Sequence, residues 1–304
     1  MLPIRSSGRP ERYFGWLRLS GPGRLIALPL LAIGLLSMRP VDTLFGEESS
    51  QTQKESDLST RRLELMRNRV TSAEVKSAEA GFPKHFHDQP LFRYSDPARG
   101  YVAAAVWKLG ATGRPKAVLV SELIPKTQGR SHISYEFISL TKTPFSMTSA
   151  DINWSPGETL YRFQPIPNAP PPDETPTRRL RQMRDLARQF TGSEVDKDLK
   201  CELRLLPQPI DRYQPATDPK ADGAIFIFAF GTNPELMLLI ESDGQSWQFA
   251  AGRLSGAETI TLTYGGKTVW DGDPVRAGVK SPYTGSITLI EIPGLDRNGM
   301  EIRE

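Results

Sequence analysis

From Phe82 onward, short runs rich in Val, Ile, Phe, Tyr and Leu alternate with clusters of Gly, Pro, Asn and Asp. This is the rhythm of an antiparallel β protein. It predicts strands over 101–109, 116–124, 134–140, 159–164, 202–206, 224–230, 235–241, 247–251, 259–264, 267–270 and 286–292. Gly265-Gly266 sits between two alternating runs, and two residues free to adopt positive φ make a tight hairpin turn there. The uninterrupted runs AIFIFAF (224–230) and ELMLLI (235–240) predict strands covered on both faces.

One amphipathic helix is predicted over 176–191. Thr175 is placed to cap it, Pro176 suits its first turn, and Gly192 is placed to end it. Leu180, Met183, Ala187 and Phe190 recur at helical spacing as its buried stripe. The preceding prolines make an extended connector, so 165–192 reads as linker plus helix.

The segments on either side, 91–154 and 210–270, look alike. Each opens with Arg-Tyr (Arg93-Tyr94, Arg212-Tyr213) and continues through a strand, a Gly-to-Pro turn and a second strand ending in Glu. PKAVLVSE and PELMLLIE run from Pro to Glu in the same number of steps, ending at Glu122 and Glu241. This is the signature of an internal duplication, against the alternative that meanders resemble one another by composition alone. The expected fold is mainly β, of α+β type. Antiparallel sheets form a sandwich-like body of two pseudo-repeated four-strand units joined by one amphipathic helix.

Upstream the pattern differs. Residues 25–38 form an uncharged apolar run behind a basic segment, 1–24. As a helix the run spans about 21 Å, short of the ~30 Å hydrocarbon core. A removed signal segment and a retained signal-anchor both fit. No Cys follows to carry a lipid, and the leader has no Arg-Arg pair. Residues 39–81 are polar and nearly free of aromatics, with a weak apolar stripe over 58–75. They read as a flexible spacer or fraying helix before a globular domain at 82–304. The expected location is the cell envelope, periplasm-facing and anchored or secreted, with membrane contact through 25–38 if that segment is retained.

Charge changes the functional picture. The 304-residue chain is formally +3, but residues 1–39 hold six Arg against one Glu. From Phe82 onward, 26 basic side chains balance 26 acidic ones. A neutral folded part lacks the basic footprint that phosphate contacts need, so no nucleic-acid partner is expected. The single Cys201 rules out an intramolecular disulfide framework and reads as a small buried hydrophobe.

No P-loop, dinucleotide fingerprint, Gly-x-Ser-x-Gly or His-Glu-x-x-His is present, and no cofactor is expected. His85 and His87 could reach one ion from a strand, but a structural site needs a third ligand and the only other histidine is His132. Arg181, Arg184 and Arg188 share a helix stripe that suits carboxylate or phosphate, or else forms a solvated face paired with acidic neighbours. Glu122 and Glu241 would serve as an acid–base pair only if held roughly 5–10 Å apart.

LFRYSDPARG (91–100), AVWKLGATGRPKAVL (105–119), RLRQMRDLARQFTG (179–192), ELRLLPQPIDRY (202–213) and DGAIFIFAFGTNPELMLLIE (222–241) resemble an uncharacterised family abundant in planctomycete bacteria. The resemblance covers residues 88–272. It implies the boundaries of the globular part and supplies no catalytic residues. The expected function is an envelope-associated binding or assembly module. Its non-catalytic β-rich domain would contact an envelope protein or anionic polymer through the arginine stripe or a sheet edge. The alternative is a hydrolase of envelope glycans using Glu122 and Glu241.

Overall fold

The computed structural model describes residues 42–125, 131–156, 162–196, 198–215, 220–256, 259–274 and 283–290. The apolar leader segment 25–38 lies outside them. Among the described residues no helix is long and apolar enough to cross a membrane. Two units are distinguished, 1–47 and 48–304, and the second carries the fold described below.

In chain order the elements are α1 (Asp42–Thr71), β1 (Glu74–Lys76), β2 (Phe92–Asp96), β3 (Tyr101–Leu109), β4 (Ala117–Pro125), β5 (Ser131–Ser139), β6 (Ser146–Thr148), β7 (Asn153–Trp154) and β8 (Gln164–Pro165). They continue with α2 (Pro176–Ala187), β9 (Phe190–Asp196), β10 (Leu199–Leu205), β11 (Asp211–Tyr213), β12 (Asp222–Phe230), β13 (Asn233–Ser242), β14 (Trp247–Arg253), β15 (Thr259–Tyr264), β16 (Lys267–Gly272) and β17 (Tyr283–Ile290). The fold is mainly β with antiparallel sheets, as the alternating pattern predicts. The hairpin at Gly265-Gly266 joins β15 to β16, and both glycines have positive φ.

Side chains alternate across a strand, so each central sheet has two faces to bury. Ala105, Trp107 and Leu109 of β3, with Leu119 and Leu123 of β4, meet Met66 and Val70 of α1. The opposite face carries Val106, Val118, Val120 and Ile138, which meet Ile225, Ile227, Met237 and Leu239 of the second sheet. The far side of that sheet, with Phe226, Phe228, Leu236 and Leu238, is covered by Met183, Leu186 and Ala187 of α2. The order is helix, sheet, sheet, helix, which is why AIFIFAF and ELMLLI are apolar without interruption.

The two halves repeat one plan. Tyr94 pairs with Ala104 and Ala104 with Glu122; Tyr213 pairs with Gly223 and Gly223 with Glu241, each 119 positions further on. The same shift carries the Phe86–Leu109 bridge onto Leu205–Phe228. It also carries the backbone bond from His87 to Lys108 onto the one from Leu206 to Ile227, both 2.9 Å. Pairing of β1 with β6 and β6 with β7 recurs as β9 with β15 and β15 with β16. Each half then sends a strand to the other: β8 pairs with β14 of the second sheet, and β17 with β5 of the first.

Three sequence expectations change. Residues 39–81 do not form a simple spacer, because Leu58, Met66, Val70 and Ala73 are buried in the first core. Their stripe is hidden in the sequence because Arg62 occupies one of its positions, reaching the Val102 carbonyl at 3.4 Å. The amphipathic helix stops at Ala187 rather than at 191, and Phe190 and Gly192 belong to β9. Gly192 serves close packing rather than capping: a Cβ there would lie 3.1 Å from the Phe228 ring. Cys201 is half-buried on β10 instead of in a core.

Candidate functional site

Glu122 and Glu241 lie at equivalent places, each accepting a 2.8 Å hydrogen bond from a tyrosine, Tyr94 and Tyr213 respectively. Both carboxylates are buried, on the strand faces that meet between the sheets. They lie at opposite ends of that interface. Glu122 is close enough to Glu235, at the start of β13, to feel its charge, whereas Glu241 grips Arg114 from the β3–β4 turn. Glu235 and Glu241 are six residues apart on one strand, about 20 Å at ~3.3 Å per residue. The two carboxylates are thus separated by a distance of that order, against the roughly 5–10 Å that paired acid–base work requires. The structure does not bring them together.

The ends are also electrostatically unlike. Arg114 holds Glu241 through two 2.6 Å bonds and lies over Phe163, 4.5 Å from the ring centre. Glu122 lacks such a clamp: burial first, then the neighbouring Glu136 charge, pushes its pKa up to about 8. Nearby, Arg99 bonds Glu235 and sits 3.6 Å from Glu194 and 3.9 Å from Asp96. Burial opposes the Arg99 charge, but Glu235 and Glu194 outweigh it and hold the guanidinium firmly protonated. Burial raises the Glu235 pKa as well, with Arg99 pulling against it.

His85 and His87 flank Phe86, whose ring enters the first core while His85 is exposed. His87 Nδ1 faces the Gln89 carbonyl at 3.1 Å. Among the described residues no group of three or more His, Cys, Asp or Glu is arranged to hold a metal ion. Trp107, Trp154, Trp247 and Tyr213 are core side chains rather than a sugar-binding platform.

The three stripe arginines separate. Arg181 stands in solvent, 85% exposed, with Asp185 3.9 Å away. Arg188 bonds Asp185 at 2.7 Å, and Arg184 donates to Gln208. Arg184 and Arg188 line a groove of about 540 Å³ between the C-terminal end of α2 and β10. Its floor is Phe190, Leu203 and Leu205; Glu202 and Arg204 of β10 also border it, at alternate positions that face away from Leu203 and Leu205. α2 ends at Ala187 and the chain turns at Arg188 into β9, so Arg184 and Arg188 border the groove together with Phe190 and Thr191.

Sequence reasoning missed Arg204, since nothing in a strand pattern ties it to a helix 20 residues earlier. It also missed Arg179, which looks like one more member of a basic helix. Arg179 is buried and bonds Asp222 at 3.0 Å, and Arg212 reaches the same carboxylate at 2.6 Å. This pair fixes the N-terminal end of α2 to β12 and so positions the groove at the other end. No family model, curated protein or solved structure matches the chain, so a functional reading rests on this geometry.

Proposed function

We propose that the chain is an envelope-associated binding module that takes an acidic polypeptide segment in the α2–β10 groove. The observation that carries this is the pair Arg184 and Arg188 flanking an apolar floor of Phe190, Leu203 and Leu205, with Arg204 at the border. Guanidinium groups favour carboxylates because their planar donors match both oxygens. The floor of Leu203 and Leu205 adds a place for one apolar side chain beside those carboxylates, worth about 25 cal/mol for each Å² buried. Recognition at such a surface concentrates in a few arginine and apolar anchors. Envelope placement is supported by the basic segment followed by the apolar run 25–38.

The test is charge reversal in the full-length chain. R184E/R188E/R204E is expected to abolish complex formation with the native partner in cells producing the protein. R181E, outside the groove, is expected to leave it intact. Complex formation unchanged in the triple variant, with the same thermal midpoint as the wild type, would overturn the proposal.

A further inference from the structure

A second concavity, unrelated to the α2 groove, lies beside the β3–β4 turn. Its volume is about 600 Å³, and it is lined by Arg114, Lys116, Lys142 and Arg162 together with Thr112 and Thr141. Among the described residues no Asp or Glu lines it. Arg114 is fixed in place by its two bonds to Glu241 and by Phe163 beneath it. Lys116 lies 5.7 Å above the Phe82 ring, with Glu79 at 3.7 Å. Lys142 and Arg162 are exposed at the rim. Two held cations and two rim cations therefore surround the cleft, with Glu241 and Glu79 as the partners of the two held ones.

The duplicated plan shows that this charge belongs to one end alone. The counterpart of Arg114 is Asn233 and that of Lys116 is Glu235, by the same shift of 119 positions. At that end Arg99 enters from the first half and closes on Glu235. Thr232 bonds the Ser95 carbonyl at 2.6 Å, whereas at the matching contact Gly113 approaches Gln214 without a side chain. One turn thus carries an acid on which Arg99 closes, and its twin carries Arg114 and Lys116. Generic surface lysines would not gather four cations in one cleft with no carboxylate among its described lining residues.

We propose that this cleft binds a soluble, multiply charged phosphate-type oxyanion ligand. Concave walls of lower dielectric focus the field of the four cations inward, Arg162 supplies a planar donor pair, and Thr112 and Thr141 supply hydroxyls. The site shares no residue with the α2 groove, so the two proposals stand or fall separately.

The test titrates inorganic pyrophosphate into the full-length protein by calorimetry at low and physiological salt. Saturable binding is expected, weakening as salt rises and at least tenfold weaker in K142E/R162E, whose exposed side chains leave the core intact. No binding by the wild type at millimolar pyrophosphate would overturn the proposal, as would equal binding by the variant at an unchanged thermal midpoint. Loss of binding in R184E/R188E/R204E but not in K142E/R162E would also overturn it, by placing the anion in the other groove. Binding to phosphatidate vesicles without binding to pyrophosphate would overturn it too, by assigning the cleft to a membrane surface.

Discussion

Tyr213 donates a 2.8 Å hydrogen bond to Glu241, 28 residues further along the chain, and Tyr94 makes the same bond to Glu122 across the same interval. Each pair spans three strands with one small residue between, Gly223 in one case and Ala104 in the other. A shared plan with different surroundings explains why one carboxylate is clamped by Arg114 and the other is not. The same divergence gives one end of the interface Arg114 and Lys116 where the other has Asn233 and Glu235.

Glu122 gives the stability a pH dependence of known sign. Unfolded, it ionises near its usual 4.5; folded, burial holds the value up to about 8. Between these values the folded chain holds a proton that the unfolded chain has lost. Stability is therefore full below about 4.5 and falls as pH rises to 8, with a slope on the order of 1.4 kcal/mol per pH unit. Thermal melts of E122Q should match the wild type near pH 5 and exceed it at pH 8.5. A difference that does not change with pH would contradict this.

Arg99 is the cation that makes the acidic end tolerable. R99M leaves Glu235 and Glu194 buried without it, and removing one partner of a buried ion pair costs about 3–5 kcal/mol. Urea unfolding at pH 7 reads this directly. R99M/E235Q should recover part of the loss, whereas no recovery would mean that Arg99 acts mainly through packing over Phe230.

Gly223 is required by its neighbours. A Cβ there would lie 2.6 Å from Tyr213 Cε2 and 3.0 Å from Glu241 Cγ. G223A should cost about 1–3 kcal/mol, the usual range for overpacking, and A104G in the other half less. Equal urea midpoints for G223A and the wild type would show that the Tyr213 ring has room to move.

Met66 separates a folded helix from a spacer. If α1 closes the first core, M66A should cost about 2–5 kcal/mol. An exposed spacer position would cost within about 0.5 kcal/mol. Chemical denaturation of the full-length chain distinguishes the two.

Much of the sheet was legible because period-two alternation survives wherever strands are long. β3 and β15 fall where the apolar runs place them, and Gly265-Gly266 makes the turn its chemistry implies. Short strands such as β1 and β7 were not legible, since three residues or fewer carry no period. α1 was obscured by Arg62 within its buried stripe. α2 was read too long because Phe190 continues its apolar spacing while pairing with Tyr264 in the sheet. Of the site, Arg184 and Arg188 were legible as a helical stripe. Arg204 was not, because its place at the border of the groove comes from β10 lying between β9 and β12 in the sheet.

The most direct test of the proposed contact surface is photo-cross-linking in cells producing the full-length protein. A photoreactive residue replaces Glu202 at the groove or, as control, exposed Lys76 on β1 in the first half. An adduct is expected from position 202 to an acidic segment of one polypeptide, absent from position 76 and lost in R184E/R188E/R204E. Adducts of equal yield from both positions, or an adduct from 202 that survives the triple charge reversal, would contradict the proposed surface.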